Sequence, residues 1–150
     1  MKTTQLILAS FLLAFAGSFT SLARAAERAS IQGILISASN DRGESDRRLA
    51  PYEPTLRRIL RFESYRFLGD DKTSLGAAEK GHLSLGEGHE LEIETESADG
   101  RSVRLRVHWI KNGHMLMNTG LVLHPGVPAV LGGPSTGHKG EVYAVILIGR

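Results

Sequence analysis

The sequence predicts an α+β protein dominated by β-structure: an antiparallel, sandwich-like meander with one amphipathic helix packed on it. Three observations lead there. The segments "IQGILIS" (31–37) and Val142 to Ile148 are apolar at both parities, as in strands covered on both faces. A single stretch, 51–61, carries apolar residues at helical spacing. Between 82 and 123, runs of alternating apolar and polar residues are separated by three short turns, each containing glycine.

Taken in order, residues 1–25 read as a cleaved secretory signal. Lys2 supplies the positive start, Leu6 to Phe19 is mostly apolar, and Ala23-Arg24-Ala25 has the small-x-small pattern of a processing site. The apolar run, interrupted by Ser10, Gly17 and Ser18, is shorter than the ~20 residues of a spanning helix, so no stable membrane anchor is expected after cleavage. Residues 26–150 are then one globular domain. Strand 31–37 opens it, and the polar loop "SASNDRGESDRR" follows. The helix is expected over Pro51–Arg61, with both prolines in the first turn and Leu49, Tyr52, Leu56, Ile59 and Leu60 on one face. Glu53 near its start and Arg57, Arg58 and Arg61 near its end suit the helix dipole. "SYRFLG" (64–69) reads as a strand, followed by irregular chain to about Gly81.

Three hairpins come next. In "HELEIETESADGRSVRLRVHW" (89–109), Leu91, Ile93 and Thr95 share odd positions with Val103, Leu105, Val107 and Trp109. One face holds both sets only if paired residue numbers sum to an even number. Three-residue loops satisfy this condition: Gly86-Glu87-Gly88, Ala98-Asp99-Gly100 with Gly100 left-handed, and Lys111-Asn112-Gly113. The pairs that follow are Leu83 with Leu91, Trp109 with Met115, Val107 with Met117, Val103 with Leu121 and His114 with Ile110. On the opposite face Glu94 meets Arg104, Glu92 meets Arg106 and Glu90 meets His108, an ion-pair ladder in which each pair contributes about 0.2–1 kcal/mol. The final strand and the first are expected to lie centrally, with the helix over one face and the meander supplying the other strands.

Charge and composition exclude several classes. Removing Lys2 and Arg24 from 18 basic residues leaves 16 against 16 acidic ones, so the processed chain is formally neutral. A nucleic-acid partner, which needs a basic excess, is not expected. There is no cysteine, hence no disulfide scaffold, thiolate metal site or cysteine nucleophile. All six histidines fall between positions 82 and 138. His82, His89, His108 and His114 flank hairpin turns and are the candidate metal ligands, although neither HExxH nor a close His-x-His spacing occurs. Surface histidines at strand ends are the simpler reading. "GGPSTGHKGE" (132–141) has the wrong order for a Walker A loop and reads as a flexible glycine-rich turn. No Gly-x-Ser-x-Gly elbow occurs, and glutamates in a row on one exposed strand do not flank a cleft. No catalytic residue and no cofactor are expected. Arg104, Arg106, Glu92, Glu94 and Trp109 are the candidates for a binding face.

The succession of signal segment, "ILISASND", "LRRILRFESYRFLG", "SVRLRVHW" and "PAVLGGP…GEVYAVILI" resembles small exported bacterial proteins of unknown function over nearly the whole processed chain. The six residues "PAVLGG" are similar to a strand-and-glycine pattern in the pore domain of outer-membrane secretins. Neither resemblance carries functional residues across. The expected function is a non-catalytic, periplasmic or secreted binding or accessory protein of the cell envelope, with another envelope protein as partner, in a secretion or envelope assembly. The alternatives are a small-ligand or metal carrier using the histidines, with Trp109 nearby, and a hydrolase of envelope polymers.

Overall fold

The computed structural model describes residues 28–150, so the signal reading lies outside the described residues. Among these residues eight strands form two antiparallel sheets. They are β1 (Ala29–Ser39), β2 (Ser64–Leu75), β3 (Lys80–Gly86), β4 (His89–Ala98), β5 (Val103–Lys111), β6 (His114–Leu123), β7 (Ala129–Ser135) and β8 (Glu141–Gly149). One sheet has the order β2-β1-β8-β7 and the other β3-β4-β5-β6. The expected mostly β, sandwich-like α+β architecture is therefore present, and its meander is the second sheet. The meander faces the first sheet instead of flanking β1 and β8 within it.

Two-sided burial of β1 and β8 organises the layers. Ile31, Leu35, Val145 and Leu147 point into the sandwich, where they meet Leu83, Leu85, Leu91, Ile93, Leu105, Val107 and Trp109 from the meander. Ile34, Ile36, Ala38, Ala144, Ile146 and Ile148 point the other way, onto Leu49 and Leu56. The covering helix, α1, spans Glu53–Leu60 and is shorter than the expected 51–61. A 3-10 turn at Arg47–Leu49 precedes it. The Asp46 carboxylate accepts from the Arg48 backbone and guanidinium, which together hold its pKa at about 2. Arg61, left-handed at φ 56°, ends the helix. Leu60 reaches Gly132 on β7. Ile59, about 100° further round, clears the sheet and is 47% exposed, against the expected inward position.

Three other expectations are corrected. The segment to Gly81 is not irregular: β2 continues to Leu75, its polar run largely exposed because β2 is an edge strand. Residues 132–135 belong to β7, so the glycine-rich stretch is strand before it is turn. The hairpin loops also differ in length. Glu87-Gly88 (φ 51° and 79°) and Asn112-Gly113 (φ 48° and 81°) are two-residue turns with both centres left-handed, whose twist matches that of the strands. The middle loop is Asp99 to Ser102, closed by Asp99 Oδ1 accepting from the Arg101 and Ser102 amides at 2.8 and 2.9 Å. Gly100 is not left-handed.

Each of these loops alone would pair residues with an odd sum and turn one strand inside out. A bulge in each hairpin restores the parity: Leu85 in β3, Glu96 in β4 and Leu116 in β6. Leu83 pairs with Leu91 as expected. The other two hairpins keep the expected faces but slip by two residues. Trp109 lies opposite Met117, Val107 opposite Thr119, and Val103 opposite Leu123. His114 pairs with Lys111 in place of Ile110.

Where the sheets join, β2 and β3 approach so closely that a Cβ on Gly69 would overlap the Leu85 carbonyl oxygen. The connection Gly76–Glu79 is held by buried Thr95, whose hydroxyl donates to the Gly76 carbonyl and accepts from the Glu79 amide at 3.2 Å. Thr95→Val strands these backbone groups and is expected to destabilise the chain by about 1–3 kcal/mol. Thr95→Ser, which keeps the hydroxyl, is expected to lose less; urea denaturation of the two variants makes the comparison.

Candidate functional site

The outer face of the meander carries most of the residues singled out from the sequence. With the register shifted by two, Glu94 lies opposite Arg106, Glu92 opposite His108, and Glu90 opposite Ile110. This corrects the expected pairs of Glu94 with Arg104, Glu92 with Arg106 and Glu90 with His108. The side chains pair diagonally as well. Arg106 Nη2 donates to Glu96 Oε1 at 3.1 Å, and His82 Nε2 lies 3.4 Å from Glu90 Oε2. His108 Nδ1 lies 3.7 Å from Glu92 Oε2. Arg104 lies opposite Ser97 on one side and Val122 on the other, and it forms no ion pair among the described residues. The row is partly neutralised, and one guanidinium is left over.

A shallow hollow of about 400 Å³ lies on this face, lined by Lys80, His82, Glu92, Glu94, Arg106 and His108 with the backbone of Gly81 and Ile93. His82, Glu92 and His108 are in register across β3, β4 and β5. Their side chains do not converge: among the described residues no three His, Cys, Asp or Glu side chains form a group able to hold a metal ion. His114 stands exposed at the β6 end of its turn, next to Lys111, away from that row.

Two candidates are not surface residues at all. Trp109 is fully buried, with its ring against Gly133, where any Cβ would overlap it. It is a sandwich-core residue and not part of a binding face. His89 is also fully buried, so it is neither a strand-end surface histidine nor an open metal ligand. Trp109 Nε1 donates to His89 Nδ1 at 2.9 Å, and the Tyr143 ring lies 4.4 Å from the imidazole, centroid to centroid. Lys111 caps the cluster, its Nζ 4.7 Å from the Tyr143 ring centroid and 3.5 Å from the Tyr143 hydroxyl. His89 Nε2 has no hydrogen-bond partner among the described residues. The sequence held a signal for this placement: His89 shares the odd parity of Leu91 and Ile93, and that alternation points it inward.

Because the indole N–H only donates, Nδ1 must be the unprotonated nitrogen, and a second proton would remove the acceptor that Trp109 uses. Burial, and then the nearby Lys111 ammonium, push the His89 pKa from 6.5 down to about 4. Between those two values the unfolded chain binds the proton more readily than the folded one. His89 therefore stabilises the fold fully above pH 6.5, and this contribution is lost as pH falls toward 4. The expected loss is roughly 3 kcal/mol. Urea titrations at a series of pH values, followed by the fluorescence of Trp109, measure it; His89→Asn is expected to flatten that part of the profile.

Compared with known proteins, the chain shows no significant match to any family model, curated protein or solved structure.

Proposed function

We propose that the chain is a non-catalytic, exported binding module of the cell envelope that accepts an extended segment of a partner along β6. The observation that carries this reading is the character of that edge. Among the described residues β6 pairs with β5 alone. It runs for ten residues, keeps its one bulge at Leu116 beside the turn so that residues 117–123 are regular, and contains no Lys, Arg, Asp, Glu or Pro. An unpaired strand of that length presents a row of free backbone donors and acceptors, and proteins ordinarily blunt such edges with charge, proline or irregularity. The other edges of this chain are blunted. β2 carries Arg66, Asp70, Asp71 and Lys72 and abuts β3, while β7 is broken by a bulge and Pro134. Along β6, Met115 is 56% and Val122 41% exposed, and Met117 and Leu121 lie half-buried at the open side of the core. Such an edge suits strand addition, in which main-chain hydrogen bonds supply affinity and alternate side chains supply specificity.

The signal-like residues 1–25 and the neutral charge of the remainder support export and argue against a nucleic-acid partner. The outer hollow is open and brings together no nucleophile with an adjacent base, which supports the non-catalytic reading.

A photo-activated cross-linking residue at position 115 or 122 of the exported chain, with position 94 on the meander face as control, tests the proposal. The expected result is a discrete cross-linked product from the two edge positions, weak or absent from the control. Products from position 94 alone, or none from any position, would overturn it. Val122→Lys, which places a charge on the edge without touching the core, is expected to abolish the product while leaving the circular dichroism spectrum unchanged.

A further inference from the structure

We infer that the segment taken up by β6 is acidic, alternating Glu or Asp with apolar residues; this rests on the reading of β6 as a strand acceptor. The charge arrangement beside the edge supplies the first observation. β5 carries Arg104, Arg106 and His108 on the outer face, opposite Val122, Gly120 and Asn118 of β6. Carboxylates answer this row from β4 alone, through Glu96 to Arg106 and Glu92 toward His108, while Arg104 has none among the described residues. Beyond His114 at its turn, β6 brings no ionisable side chain of its own. The basic row therefore has a counter-charge on one side and an open edge on the other.

Gly120 supplies the second observation. Its backbone is not left-handed, and a Cβ there would meet only the Leu105 carbonyl oxygen at 3.7 Å, an ordinary contact. Neither turn geometry nor packing requires a glycine here, and glycine inside a strand weakens it; such a residue commonly marks close approach of a ligand or another backbone. At this position it leaves the surface bare between Arg106 and the open edge. An added strand lies two strand spacings from β5, roughly 10 Å. An arginine and a glutamate reaching toward each other over a bare glycine span that gap.

The inward positions complete the requirement. Met117 and Leu121, half-buried against the core, offer apolar contact to the alternate residues of an added strand. The pattern wanted is thus acidic outward and apolar inward, which is also the pattern of β4 across the same basic row, "ELEIETE" at 90–96.

Three synthetic nine-residue peptides test this on the processed chain: one alternating Glu with Val and Leu, one with Gln replacing Glu, and one with Lys. Fluorescence anisotropy measures affinity, and amide hydrogen exchange across 114–123 reports whether β6 is the site. The expected result is that the Glu peptide binds at least about tenfold more tightly than the Gln peptide and protects β6 amides. Arg104→Glu should reverse the order toward the Lys peptide. Gly120→Val, which the fold has room for, should remove the advantage of Glu over Gln.

Equal binding of Glu and Gln peptides with β6 protected would overturn the charge inference and leave the strand-acceptor reading standing. Binding of none, with β6 amides unprotected, would overturn both. A dimer of the chain with β6 protected before any peptide is added would show the edge filled by a second copy and would overturn the acidic-partner inference.

Discussion

Everything in this fold follows from a pair of strands that must be covered twice. β1 and β8 are apolar on both faces and hydrogen-bonded to each other from Ile31–Gly149 to Ser39–Glu141. Water on either face would undo the burial that stabilises them, at about 25 cal/mol for each Å² of apolar surface. One cover is the meander, which brings Leu83, Leu91, Leu105 and Trp109 onto Ile31, Leu35, Val145 and Leu147. The other is α1 with the turn before it, whose Leu56 and Leu49 close the opposite face. The helix ends after eight residues at left-handed Arg61, and Phe62, Tyr65 and Phe67 complete that layer.

The meander can serve as a cover only if its own apolar residues all face one way, and that demand governs its turns. Two-residue turns at Glu87-Gly88 and Asn112-Gly113 match the strand twist but give the wrong parity. One extra residue per hairpin corrects it, and the position of that residue together with the loop length sets the register. In β3 the extra residue precedes the turn and leaves the Leu83–Leu91 pairing where a three-residue loop would have put it. In β6 it follows the turn, at Leu116, so the pairing moves by two. Between β4 and β5 the bulge at Glu96 precedes the turn, but the loop of Asp99 to Ser102 is two residues longer than the other turns and moves the pairing by two as well. Arg106 therefore comes to Glu94 and Glu96, His108 to Glu92, and Arg104 is left without a carboxylate among the described residues. Loop length and bulge together thus decide which charge is left open.

The interior cluster of His89, Trp109 and Tyr143 ties the two sheets at one end. Trp109 is admitted only because Gly133 on β7 has no side chain, and its N–H finds its acceptor in an imidazole that burial keeps neutral. On the far side from the β2–β3 junction, β6 remains an edge with no charge and with apolar residues on both faces. Specificity at such an edge would come from the neighbouring strand, since β6 contributes main chain and apolar side chains but no charged group.

Alternation and periodicity, properties of the sequence alone, determined the mostly β class, the central place of β1 and β8, the existence of the helix, and which side of each meander strand faces inward. These are local properties: a period of two or of 3.6 is written residue by residue and survives any shift of pairing by two. The same parity places His89 and Trp109 inside, with the core leucines. Only the tertiary structure decided the register of β4–β5 and β5–β6, the extension of β2 through its charged residues, the exposure of Ile59, and the isolation of Arg104 beside an open edge. Each of those depends on where a bulge sits, which strand ends a sheet, or how far a neighbour extends. Such facts arise when distant segments meet, because a bulge changes the pairing without changing the pattern that the sequence displays.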